Sequence, residues 1–121
     1  MERAYPVLRI DDYEEAKAYY VDFLGFEIEF EWRHEENFPV YMGVVRGGLG
    51  LHLTEHGGDV AGPGAAPCRV DDVRALFAEL EGRKDGLEAP VDQAWGATEL
   101  KLIDPFDNKL TFTSPTPKES A

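Results

Sequence analysis

The amino-acid sequence predicts an α+β fold made of two tandem copies of one unit: a strand, a helix, then three strands. Three observations carry this. The tetrapeptide Arg9-Ile10-Asp11-Asp12 returns sixty residues on (9 to 69) as Arg69-Val70-Asp71-Asp72. Each copy runs directly into a helical pattern. Each half then closes on alternating strands whose last members also match, Leu51-x-Leu53-Thr54 falling on Leu110-x-Phe112-Thr113 at an offset of fifty-nine (51 to 110). Two short matches agreeing in order and offset indicate a duplication.

Taken in order, the first helix starts at Asp12, whose carboxylate can cap free N–H groups of the first turn, with Glu15 three residues on to complete the signal. It carries Tyr19, Tyr20, Phe23 and Leu24 as a core face and stops at Gly25, a residue able to take the left-handed conformation. Strands follow at Phe26–Trp32, Val40–Val45 and Leu49–Thr54, the last two separated by the turn signal Arg46-Gly47-Gly48. A Gly/Pro/Ala-rich stretch, Gly57–Pro67, is the natural linker. The second helix is capped by Asp72 and keeps Val73, Leu76, Phe77 and Leu80 on one face before Gly82. A weaker strand around Glu88–Gln93 precedes strands at Glu99–Ile103 and Leu110–Thr113, which flank the turn Asp104-Pro105-Phe106-Asp107-Asn108. The tail after Ser114, with Pro115 and Pro117, is expected to fray.

Composition narrows the function. In 121 residues, 12 Lys+Arg face 24 Asp+Glu, a net charge of −12, which argues against nucleic acid because phosphate binding rests on basic side chains. No apolar run approaches the ~20 residues of a membrane span. Cys68 stands alone and can make no internal disulfide, and the opening MERAYPV lacks an apolar signal segment, so a cytoplasmic location is expected. The excess acid serves either plain solubility or attraction of a cationic ligand.

Three motifs give the chain a family likeness: Pro6-Val7-Leu8-Arg9-Ile10-Asp11-Asp12, Tyr19-Tyr20-x-x-Phe23-Leu24-Gly25-Phe26, and Asp104-Pro105-Phe106-Asp107-Asn108-Lys109-Leu110. With them the sequence resembles the vicinal oxygen chelate superfamily, which includes glyoxalase I, bleomycin resistance proteins and extradiol dioxygenases. The likeness spans about residues 4 to 114, with Asp107 where the family usually has Gly. It implies one domain of two βαβββ modules (about 4–56 and 65–114, linker about 57–67), whose mixed sheets curl into a cup, commonly as a homodimer. Tyr5-Pro6-Val7-Leu8, the segment from Tyr41-Met42 through His52-Leu53-x-Glu55-His56-x-Gly58-Asp59, and Gln93-x-Trp95-Gly96 are most similar to the bleomycin-resistance branch. That resemblance implies a protein that sequesters a small cationic aromatic antibiotic in grooves between two chains and performs no chemistry.

Metal enzymes of the resembled family place His, Glu or Gln at four inward positions, which the resemblance maps to Tyr5, His52, Ala65 and Thr111. The internal repeat agrees, pairing Tyr5 with Ala65 and His52 with Thr111. Tyr, Ala and Thr are poor ligands for a divalent ion, and one His does not hold a metal. No metal, cofactor or catalytic residue is therefore expected. His52-Leu53-Thr54-Glu55-His56 matches an inverted zincin motif, but that chemistry needs a helix. On a strand the two His stand ~13 Å apart, at ~3.3 Å per residue. The alternative function is a metal-dependent glyoxalase-like lyase, isomerase or dioxygenase with an atypical ligand set.

Alternation assigns faces. Phe26, Ile28, Phe30 and Trp32 share one side of their strand and are expected to pack on helices, while Glu27, Glu29 and Glu31 take the other side, toward the cup or solvent. Leu51 and Leu53 leave His52 facing the cup; Leu110 and Phe112 leave Thr111 there. Phe38, an isolated aromatic in a polar connector, either covers the groove or packs back on its own sheet. Trp95 either stacks on ligand rings, as the resemblance implies, or is structural. The expected ligand-binding set is Tyr5, Phe38 and Trp95 as aromatic walls, His52 and Thr111 as hydrogen-bonding groups, and Glu31 as the charge. Cys68 reads as a buried inert thiol, and His34 and His56 as loop surface.

Overall fold

The computed structural model describes residues 2–117. In chain order it has β1 (Val7–Arg9), α1 (Tyr13–Lys17) widening into a π-helical segment (Ala18–Phe23), β2 (Glu27–Trp32), β3 (Tyr41–Arg46), β4 (Leu49–Thr54), β5 (Ala65–Arg69), α2 (Val73–Glu81), β6 (Val91–Asp92), β7 (Ala97–Ile103) and β8 (Lys109–Pro115). Two four-stranded sheets result, ordered β1-β4-β3-β2 and β5-β8-β7-β6. In each the first strand runs parallel to the last, and the other pairings are antiparallel. The fold is the α+β pair of mixed sheets that the repeat predicts.

The helices form for the reasons their caps suggest. The Asp12 carboxylate accepts from the Glu15 N–H at 3.0 Å, and that of Asp72 from the N–H groups of Arg74 and Ala75. Gly25 ends the first helix at φ +79, where a side chain would be strained. One face of each sheet is buried: Leu8, Met42, Val44, Leu51 and Leu53 from the first, Ala66, Cys68, Leu100, Leu110 and Phe112 from the second. They join Ala16, Tyr20, Leu24, Leu76 and Leu80 of the helices in a single core. Cys68 lies inside it, and burial pushes its thiol up to about 11.

The halves are locked together by polar groups as well. The Tyr20 hydroxyl donates to the buried Asp104 carboxylate at 2.6 Å, and burial, then this carboxylate, hold that hydroxyl far above its ordinary value. Asp104 also accepts from the N–H groups of Phe106 and Asn108 and from the Asn108 amide. That amide donates onward to the Arg9 carbonyl at 2.6 Å and accepts from the Gly64 N–H at 2.7 Å. Asp107, standing where the resembled family has Gly, takes φ +67; an Asp tolerates this left-handed turn better than most side chains. At the surface the Arg46 guanidinium forks onto Glu79 (2.7 and 2.9 Å) and Arg83 joins at 2.9 Å. Hydrogen bonding from Arg46, then the charges of both arginines, hold the Glu79 carboxyl down at about 2.

Two expectations need correction. The tail does not fray at Ser114: β8 continues to Pro115, and the Thr116 N–H donates to the Gly96 carbonyl at 2.9 Å, while the part of that expectation on residues 118–121 lies outside the described residues. And β2 does not alternate regularly. Ile28 pairs with Val44 but Phe30 with Gly43, so Glu29 is an extra residue, a β-bulge. Beyond it, each side chain changes face relative to a regular strand.

Candidate functional site

The unburied face of the first sheet is an aromatic floor. On β3 and β4 the positions facing away from the core are Tyr41, Gly43, Gly50 and His52, with Gly43 directly opposite His52. The bulge brings Phe30 onto this face, over Gly43, and Trp32 opposite Tyr41. Tyr5 reaches in ahead of β1 and stacks flat on His52, with ring centroids 4.9 Å apart and planes at 9°. Phe30 meets His52 edge-on at 5.4 Å and stacks near-parallel to Tyr41 at 6.3 Å. The Tyr41 hydroxyl and His52 Nδ1 are 2.8 Å apart, a hydrogen bond that fixes the imidazole in its plane.

Two glycines make the floor possible. A Cβ on Gly43 would stand 2.4 Å from Phe30 Cε1, and one on Gly50 would stand 2.5 Å from Tyr5 Cε1. Carbon atoms rest at ~3.5–4.0 Å, so both rings occupy space that any other residue would fill. Glycine weakens a strand interior and often marks close approach of another group. Here the group approaching is the protein's own ring.

Of the expected ligand-binding residues, the structure joins Tyr5 and His52 in this floor. Glu31 lies elsewhere: past the bulge it pairs with Met42, whose side chain is buried on the helix face. There it meets Tyr13 of α1, and hydrogen bonding with the Glu31 carboxylate, then burial, push the tyrosine hydroxyl up to about 12. The glutamate face drawn from simple alternation is therefore corrected. Glu27 stays on the floor side, opposite Val45; Glu29 is the bulged residue; Glu31 crosses over. In exchange Phe30 and Trp32, assigned to the core by alternation, belong to the floor and are 37% and 54% exposed.

Phe38 sits at the end of a turn in the β2–β3 connector. Its N–H donates to the Glu35 carbonyl, its carbonyl accepts from Arg33 at 2.6 Å, and its ring lies 5.6 Å from His34 rather than over the floor. Thr111 and Trp95 belong to the second sheet. Thr111 lies between Pro67 and Lys101 on the face away from the core, and Ala65 pairs with Lys109 on the same strands. Trp95 is 70% exposed, in a turn closed by the Gly96 N–H donating to the Gln93 carbonyl. Neither joins the ring pairs around His52.

The donor chemistry does not fit a divalent metal. His52 spends Nδ1 on Tyr41, one of its ring faces stacks on Tyr5, and the rings of Phe30 and Tyr41 stand steeply to it. Tyr5 presents a ring face, and Ala65 offers no donor at all. Among the described residues, no three His, Cys, Asp or Glu side chains group to hold a metal ion. Glu55 of the zincin-like motif is engaged structurally, accepting from the Val40 N–H at 2.9 Å. No described helix is long and apolar enough to cross a membrane.

The family model for glyoxalase superfamily proteins matches residues 1–118. Among solved structures, a bleomycin-binding protein complexed with bleomycin is similar at 25% identity and TM-score 0.72, over 94% of this chain and 98% of that one. The bleomycin-binding protein of bleomycin-producing Streptomyces verticillus, complexed with copper(II)-bleomycin, is similar at 27% identity and TM-score 0.68, over 98% of each chain. A lactoylglutathione lyase from Agrobacterium tumefaciens, at 18% identity and TM-score 0.71, covers 93% of this chain and 92% of its own, and shares the fold. No curated protein sequence matches the chain.

Proposed function

Since this chain belongs to the glyoxalase superfamily, we propose that it is a non-catalytic member that sequesters a flat, cationic small molecule of the bleomycin type. The observation that carries this reading is the aromatic floor of Tyr5, Phe30, Tyr41 and His52 lying on Gly43 and Gly50. The two near-parallel pairs, Tyr5 with His52 and Phe30 with Tyr41, stand steeply to one another, and their open faces offer π-surface to a flat heteroaromatic ligand, each good aromatic pair being worth about 0.5–1.5 kcal/mol beyond simple burial. Their electron-rich faces also favour cations, in keeping with a chain of net charge −12. The similarity to two bleomycin-binding proteins supports the ligand class.

One floor is half a groove. In this proposal two chains associate so that the floor of one faces the open second sheet of the other, with Trp95 as the opposing wall and Thr111 as a hydrogen-bonding group. Phe38 borders the entrance from the β2–β3 connector. In this reading the groove holds the ligand without making or breaking a bond, so release returns the same molecule.

Calorimetry with bleomycin tests this. Two ligands per dimer at micromolar affinity or better are expected, with Trp95→Ala weakening binding by at least about tenfold, the worth of a lost stacking wall. Absence of binding at micromolar concentrations removes the named ligand. Tightly held stoichiometric metal after dialysis favours the alternative, a metal-dependent enzyme.

A further inference from the structure

Beside the floor, and sharing Trp32 and Tyr41 with it, lies a cavity of about 400 Å³ whose other walls are His56 and Asp59. Its chemistry is specific. Trp32 and Tyr41 are cross-strand neighbours and supply aromatic surface. Asp59 supplies a carboxylate, and its charge, after burial, raises the Tyr41 hydroxyl. His56 Nε2 is buried without a hydrogen-bond partner among the described residues. The loop holding these groups is a built turn. The Thr54 hydroxyl donates to Asp59 Oδ2 at 2.7 Å and accepts from the His56 N–H at 3.0 Å, while the Asp59 N–H closes on the His56 carbonyl. One carboxylate oxygen is thereby committed within the turn and the other is left over.

We infer that this cavity is a subsite for an N–H-bearing organic cation, a protonated amine or guanidinium attached to a flat ring. On the tautomer with its ring proton on Nδ1, His56 Nε2 is an acceptor, enclosed and unpartnered, and a ligand N–H that reaches it by a turn of the ring would restore its missing hydrogen bond. Asp59 Oδ1 is a second acceptor carrying the complementary charge, and Trp32 and Tyr41 give the cation π-faces. An anion would meet the Asp59 carboxylate, and a neutral apolar group would bury two acceptors unsatisfied. The inference deepens the sequestration reading, since Tyr41 is shared between cavity and floor, and places the charge selectivity on Asp59 rather than on the glutamates of β2.

The test uses three small probes on the full chain: benzylamine, benzyltrimethylammonium and benzyl alcohol, followed by NMR at the Trp32 indole N–H. Benzylamine is expected to bind tightest, the quaternary cation more weakly for want of N–H donors, and the alcohol weakest. Asp59→Asn, which can still accept from Thr54, should weaken benzylamine by at least about fivefold, the loss of one charge-assisted hydrogen bond at a partly open site. His56→Phe should weaken it while raising the melting temperature of the free protein, because the orphaned nitrogen is gone. Equal binding of amine and alcohol, or an unchanged amine affinity in both variants, overturns the subsite. Bleomycin calorimetry on the same proteins separates the two claims. Bleomycin binding alongside an amine affinity that both variants leave unchanged sinks the subsite and keeps sequestration. Asp59-dependent benzylamine binding without bleomycin binding keeps the subsite and sinks the antibiotic reading.

Discussion

Replacing Gly43 by Ala is the most direct probe of the aromatic floor, because the added methyl has one place to go. It would stand 2.4, 2.9 and 3.0 Å from Phe30 Cε1, Cδ1 and Cζ. Against a resting carbon separation of ~3.5–4.0 Å, the ring must move by roughly 1–1.5 Å or leave. Leaving forfeits the pairings with His52 and Tyr41, about 0.5–1.5 kcal/mol each. Against this, Ala is better than Gly in a strand by roughly 0.5–1 kcal/mol. The net expectation is a loss on the order of 1–2 kcal/mol, read as a lower urea midpoint with unchanged slope. In a Phe30→Ala background the obstruction is absent, and the same Gly43→Ala change should become neutral or stabilising by about 0.5–1 kcal/mol. The sign change is the diagnostic. Equal destabilisation in both backgrounds would refute the claim that this glycine exists to seat the ring.

Other outcomes follow from the same geometry. Tyr20→Phe removes one of four donors to the buried Asp104 carboxylate and should cost about 1–3 kcal/mol in chemical denaturation, more than a surface Tyr→Phe change. The Glu79 carboxyl, held near 2 against an ordinary 4.5, contributes stability that is present above pH 4.5 and lost as pH falls toward 2. Being about a third exposed, the ion pair is worth about 1 kcal/mol or less, so a Glu79→Gln variant should trail the parent slightly at neutral pH and converge with it near pH 2. Cys68, its thiol pushed up to about 11 by burial, should resist iodoacetamide at pH 8 in the folded protein and react promptly in urea. Trp95, more exposed than Trp32, should be the more readily quenched by acrylamide, so Trp95→Phe should lower the overall quenching constant.

The duplication was legible because caps and alternation are local: Asp12, Asp72 and the Leu51/Leu53 and Leu110/Phe112 pairs each state their role within a few residues. The faces of His52 and Thr111 followed from those pairs. The composition of the floor was not legible, because it depends on one extra residue. Phe30 and Glu31 exchange faces at Glu29, and no pattern within β2 announces the exchange. Its only trace is across the sheet, where a mid-strand glycine, Gly43, faces an aromatic strand. Likewise His56 read as surface because its neighbours are Gly57 and Gly58, whereas Thr54 draws the chain back and leaves Nε2 enclosed.

The bulge also has an evolutionary side. A regular alignment of β2 on β3 would instead put Glu29 opposite Gly43 and Glu31 opposite Tyr41, giving an acidic surface in place of the aromatic one. Deleting the single codon for Glu29 removes the choice, because Phe30 then meets Gly43 on an unbroken strand. A deletion at this one position, with no substitution anywhere in the site, is therefore enough to fix the aromatic character of the surface. What this surface recognises thus rests on the length of β2 as much as on any contact residue.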